Sequence, residues 1–176
     1  VNDIDVSGGS IGDLTAVSST VYTAVFTPLS SSTADGVITV TGDKFTDAAG
    51  NDNTSGSLTL NIDTVVPTIT ITTSDSALKA GETATITFTL SESSTNFTAD
   101  DITVSGGAIT DFSGSGTSYT ATFTPTDNST ANGVISVPSP RFTDAAGNDN
   151  TSGALTLDID TVVPTINITT SDSALK

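Results

Sequence analysis

Thr83-Ala84-Thr85-Ile86-Thr87-Phe88-Thr89-Leu90 alternates strictly. Ala84, Ile86, Phe88 and Leu90 fall on one side and the threonines on the other, the pattern of a half-buried β-strand. Threonine suits the outer face, because its branched side chain sits comfortably on a pleated surface. The same period recurs outward along the chain, at Ile69 and Ile71, Ile102 and Val104, Tyr119, Ala121 and Phe123, Ile135 and Val137, and Leu155, Leu157 and Ile159. No stretch of comparable length carries helical periodicity. Turn chemistry separates the runs: Ser105-Gly106-Gly107, Ser113-Gly114-Ser115-Gly116, Thr126-Asp127-Asn128 and Ala145-Ala146-Gly147-Asn148.

About seven short strands per copy follow, and the copy length comes from a self-repeat. Thr46 to Lys79 recurs at Thr143 to Lys176 with only Ser57/Ala154, Asn61/Asp158 and Thr70/Asn167 differing. Phe26-Thr27-Pro28 and Tyr22 recur at the same offset, as Phe123-Thr124-Pro125 and Tyr119. A period this long means one folded module per copy, arranged in tandem. The expected fold is all-β: tandem antiparallel β-sandwich repeats of immunoglobulin type. The cysteine pair and core tryptophan of antibody-like domains are missing. We expect a partial repeat lacking its first two strands at 1–63, a complete repeat at 64–160, and the first strand of a following repeat at 161–176. Residues 1–63 should then fold poorly unless something supplies the two strands.

Composition removes several function classes. Four basic residues stand against 20 acidic ones, for a formal net charge of −16. Such a surface repels nucleic acid and anionic lipid and attracts cations. There is no Cys and no His. Disulfides and thiolate sites are thereby excluded, along with the usual proton shuttle. Glu82 and Glu92 fall at opposite ends of one strand, so they cannot form the close carboxylate pair of a glycosidase. Serine and threonine are plentiful but lack a base to activate them. An enzyme is not expected, and Lys79 reads as a turn residue.

Strand parity places the acids. If successive strands run alternately down and up, the connection after the second strand carries Glu92, Asp100 and Asp101. It shares one end of the sandwich with the last hairpin loop, which carries Asp144, Asn148 and Asp149, and with the incoming linker, which carries Asp63. Asp111 belongs to that end as well. Carboxylates scattered in sequence thus converge where one module meets the next. They would repel one another unless a cation lay among them. Asp and Asn oxygens in flexible loops suit Ca²⁺, which takes six to eight oxygens, better than the strict octahedron of Mg²⁺. Asp-Ala-Ala-Gly-Asn also reads as an ordinary turn, with Asp capping it and Gly at positive φ. No EF-hand loop or glycine-rich calcium repeat is present. Asp75 and Asp127 fall at the other end and read as solvated turn residues.

The strings Asp63-Thr64-Val65-Val66-Pro67-Thr68, Ser74 to Glu82, Thr87-Phe88-Thr89-Leu90-Ser91-Glu92 and Phe142 to Asn148 resemble the bacterial immunoglobulin-like extender repeats of giant repeats-in-toxin surface adhesins. The resemblance implies non-enzymatic modules on the bacterial cell surface, with Ca²⁺ bound at their linkers, stiffening a stalk used in biofilm and surface attachment. It implies Asp63, Glu92, Asp144 and Asn148 as ligands of one junction, with Asp160 opening the next. Asp47 and Asn51 are the counterparts in the first copy. The partners implied are calcium ions and neighbouring repeats of the same chain, in a monomeric array without membrane insertion. The alternative is a module that itself grips glycan or protein. A sugar platform would need exposed aromatics, and Phe97 and Phe112 are the least firmly placed of the few available.

Overall fold

The computed structural model describes residues 3–171. The chain divides into two compact units, Val1–Val66 and Pro67–Lys176. Its strands in the first unit are β1 (Ile4–Ser7), β2 (Gly9–Ile11), β3 (Thr15–Ala16), β4 (Tyr22–Thr23), β5 (Phe26–Pro28), β6 (Gly36–Val40) and β7 (Gly56–Leu60). Those in the second are β8 (Ile69–Thr73), β9 (Ala77–Lys79), β10 (Ala84–Ser94), β11 (Thr103–Ser105), β12 (Gly107–Pro125), β13 (Gly133–Val137) and β14 (Gly153–Asp160).

The second unit is an immunoglobulin-like β-sandwich. One sheet has the order β12-β10-β8, the other β11-β13-β14-β9. The alternation in the sequence is the alternation in space: Ala84, Ile86, Phe88 and Leu90 are buried, while Thr85 and Thr89 are exposed. They meet Ile135, Val137, Leu157 and Ile159 of the opposite sheet in one hydrophobic core. Phe97 is the hub of its aromatic part, with ring centroids 5.0 Å from Tyr119 and 5.2 Å from Phe142. A buried hub of this kind offers no sugar platform.

Three details refine the expected strand plan. Strand β12 doubles back at Gly114–Gly116. Its two arms lie side by side, with the rings of Phe112 and Tyr119 stacked at 5.6 Å and Thr126 N–H donating to Gly106 O at 3.0 Å. Gly114 (φ 137°) and Gly116 (φ 66°) supply the backbone angles that this reversal demands. The first strand crosses between sheets: β8 pairs with β10, whereas β9 pairs in parallel with β14. Finally, β10 continues to Ser94 through a register shift after Thr89, so Glu92 lies on a bulged strand end. Lys79 does sit at a turn, its Nζ 3.2 Å from Glu82 Oε1.

The first unit repeats the later part of this plan. Its sheets are β1-β6-β7, β2-β5 and β3-β4, with no counterpart of β8 or β10 among the described residues. The consequence is visible in matched side chains: Phe45 is 60% exposed where Phe142 is 1% exposed, and Tyr22 is exposed where Tyr119 is buried. Residues 162–171 carry no strand, and the rest of the expected opening strand, 172–176, lies outside the described residues. No helix among the described residues is long and apolar enough to cross a membrane.

Candidate metal centre

The loop between β13 and β14 is held at its base by Asn150, which is fully buried. Its Oδ1 accepts the backbone N–H groups of Arg141 (2.7 Å) and Phe142 (3.0 Å), and its Nδ2 donates to the carbonyls of Pro138 (3.0 Å) and Thr151 (2.8 Å). Every hydrogen-bonding direction of the amide is thus used. Asn53 repeats the arrangement in the first copy, toward Lys44, Phe45, Thr41 and Thr54. The sequence reading passed over both. Their recurrence at the same offset was the available signal.

At the loop tip, Asp144 organises the turn. Its Oδ1 accepts three backbone N–H groups, from Ala146 (2.9 Å), Gly147 (2.7 Å) and Asn148 (2.9 Å). Its Oδ2 accepts Asn148 Nδ2 at 2.8 Å. Gly147, at φ 93°, occupies the left-handed region that favours glycine. Asp47 and Asn51 form the same turn, with Ala49 N–H at 2.8 Å and Asn51 Nδ2 at 2.9 Å, although Asp47 is exposed. The conformation is therefore encoded locally by Asp-Ala-Ala-Gly-Asn.

Charge follows from these bonds. Burial pushes the Asp144 carboxyl up, but the side-chain and backbone N–H groups of Asn148, with those of Gly147 and Ala146, outweigh it and hold the group below the ordinary aspartate value. Asp47 is also held low, first by the Asn51 side chain and then by the Asn51 backbone. Both turns thus present an ionised carboxylate at neutral pH.

Asp144 is joined by two other predicted residues. Asp63, Glu92 and Asp144 each offer a carboxylate oxygen, and these three atoms lie within 4.8 Å of one another. Asp63 is half-buried, and its Oδ1 accepts Val65 N–H at 3.1 Å. Glu92 arrives on the bulged end of β10, with Oε1 withdrawn from solvent. Two carboxylates at that separation repel by about 1 kcal/mol in water and about 3.5 kcal/mol at an effective dielectric near 20. The cluster can therefore hold a cation. Oxygens on one Ca²⁺, at about 2.3–2.6 Å from it, stand at most about 5.2 Å apart, whereas those on Mg²⁺, at about 2.0–2.1 Å, stand at most about 4.2 Å apart. Oxygens within 4.8 Å of one another can share one cation, and the all-oxygen donor set suits a hard one.

The other expected residues are placed apart from this trio. Asp101 closes a short 3₁₀ turn, Ala99–Asp101, where its Oδ2 accepts Thr98 N–H at 2.7 Å. Asp100 is exposed on that turn. Asp160 is exposed too, and accepts Val162 N–H at 3.1 Å, as Asp63 does from Val65. Asp47 and Asn51 have their turn, but among the described residues of the first unit no strand corresponds to the one that carries Glu92. Asn148 touches the trio through Asp144. Asp75, at the opposite end, accepts Ala77 N–H at 3.0 Å, as a turn residue should.

A family model described as the bacterial Ig-like domain matches residues 1–62 and again residues 63–159. The second match begins at Asp63, so all three clustered carboxylates fall within a single repeat. No curated protein and no solved structure matches the chain. With two tandem matches across most of its length, the chain belongs to the bacterial Ig-like domain family.

Proposed function

We propose that the chain is a non-enzymatic extender segment of a bacterial cell-surface adhesin, and that Ca²⁺ bound by Asp63, Glu92 and Asp144 stiffens it. The observation that carries this reading is the trio itself. One ligand comes from the segment that leads into the repeat, one from β10 and one from the loop before β14. A cation held by all three ties the lead-in segment to the body of the repeat and removes a hinge. Repeated along an array, the effect turns a flexible string into a stalk that projects a distal adhesive domain for surface attachment and biofilm formation. Each module, with its last strand, β14, of 8 residues at about 3.3 Å per residue plus loops, adds on the order of 40 Å. Weak binding suffices outside the cell, where calcium modules work with Kd near 10⁻⁴–10⁻³ M.

Small-angle scattering of the chain with calcium and with chelator tests this function. A longer, less variable particle with calcium supports it, and the same distance distribution in both conditions refutes it.

A further inference from the structure

A threonine beyond the last strand of each unit ties the chain back to the body it has just left. In the second unit Thr161, 4% exposed, directly follows Asp160 at the end of β14. Its Oγ1 donates to Thr126 O at 2.7 Å and accepts Ser129 N–H at 2.8 Å, and its own N–H donates to Ser129 O at 2.9 Å. In the first unit Thr64 does the same after Asp63. Its Oγ1 donates to Leu29 O at 2.7 Å and accepts Ser32 N–H at 3.0 Å, and its N–H donates to Ser32 O at 3.0 Å. The receiving loops differ in sequence, Leu29-Ser30-Ser31 against Thr126-Asp127-Asn128, yet share a backbone. Ser31 (φ 50°) and Asn128 (φ 52°) both lie in the left-handed region, and the hydroxyls of Ser32 and Ser129 each accept the N–H two residues on, at 3.1 Å. A hydroxyl donates one bond while accepting another, which a valine of the same shape cannot do. Three bonds on one residue make a latch.

We propose that Thr64 is the positioning residue of the joint: it fastens the lead-in segment to the unit behind, so that a cation drawing on the adjacent Asp63 couples two bodies rather than one body and a slack segment. The cation's part rests on the calcium reading, whereas the latch is free of cations. Thr64 belongs to the first unit and Pro67 to the second, where its carbonyl accepts Thr151 N–H at 2.9 Å. Val65 and Val66 lie between these two ties and form the hinge. Pro67 already confines Val66 to extended backbone, and β-branching stiffens both side chains. Asp63 and Thr64 are chain neighbours, with Cα atoms about 3.8 Å apart, so no free residue separates the carboxylate from the latch. A cation on Asp63, Glu92 and Asp144 therefore spans the hinge. Without the Thr64 hydroxyl it still binds, but the slack moves upstream of Asp63 instead of disappearing. Thr161 holds the chain beside Asp160 in the same way.

Thr64→Val and Thr64→Ser, beside the unsubstituted chain, separate the latch from the cation. Small-angle scattering is recorded in chelator and at calcium concentrations that saturate each protein in calorimetry. The unsubstituted chain and Thr64→Ser should become longer and less variable with calcium, while Thr64→Val binds calcium and stays as variable as in chelator. Amide exchange in chelator reads the latch alone. Ser32 N–H should exchange at least about fivefold faster in Thr64→Val, the effect of about one lost hydrogen bond, and Thr64→Ser should restore it. Thr161→Val should do the same to Ser129 N–H in the second unit, whatever the stability of the first, and leave calcium binding unchanged. A Thr64→Val chain that stiffens with calcium as far as the unsubstituted one overturns the proposal. So does protection of Ser32 and Ser129 that neither valine variant lowers. An unsubstituted chain that binds no calcium sinks the calcium reading and with it the coupling, and the exchange result then decides the latch by itself.

Discussion

Replacing Asn150 by alanine removes the clamp at the base of the Asp144 loop. Four hydrogen bonds of 2.7–3.0 Å disappear together, in a side chain 1% exposed. At about 1 kcal/mol net for each bond, the loss is about 4 kcal/mol. For a unit of this size it lowers the thermal midpoint by about 20 °C. Calcium must be excluded, because a bound ion would itself raise the midpoint. The two units need not unfold together, so the probe must report on the second alone. Tyr22 and Tyr119 are the chain's two tyrosines. In a Tyr22→Phe background, the fluorescence of buried Tyr119 follows the second unit. Asn53→Ala is the internal comparison: it breaks the matching four bonds at a half-exposed position, where water replaces them, and should cost well under half as much. A loss below about 1 kcal/mol for Asn150→Ala would refute the reasoning that this amide holds the loop.

Phe97→Ala should destabilise the second unit by about 3–5 kcal/mol in urea unfolding, since it empties the centre of the aromatic cluster. Gly147→Ala should cost about 1 kcal/mol in the same assay, although the added methyl meets nothing within 4 Å, because the penalty lies in the backbone at φ 93°. It should also weaken calcium binding by loosening the turn around Asp144. Glu82 is held below its ordinary value of 4.5 by Lys79, first through the backbone N–H and then through the side chain. Its small stabilising effect is thus present above pH 4.5 and lost as pH falls through the lowered native value. Comparing Glu82→Gln with the unsubstituted chain across an acid titration should show a gap above that pH that closes below it.

The fold was legible because β10 and its neighbours alternate without interruption, so one face of each strand declares itself. Parity needs only the strand count, and of the residues it expected at one end, Asp63, Glu92 and Asp144 have carboxylate oxygens within 4.8 Å of one another. Finer positions depended on interactions that leave no period in the sequence. A bulge extends β10 past Thr89, and this puts Glu92 on a strand. Asp100 and Asp101 lie on a capped turn, where Thr98 N–H donates to Asp101 Oδ2. The crossing of the first strand between sheets rests on β9, only three residues long and too short to show a pattern. Asn150 looked like one polar residue among many, and only its burial reveals the four bonds it closes.

Titration calorimetry of calcium into the chain, beside the Glu92→Gln variant, tests the central claim most directly. Glutamine keeps the shape of the side chain and removes one of three charges, without touching the turn that Asp144 organises. The account predicts saturable calcium binding with Kd near 10⁻⁴–10⁻³ M, weakened at least tenfold in the variant, and much weaker binding of magnesium. Absence of calcium binding, or equal binding by both proteins, would contradict it.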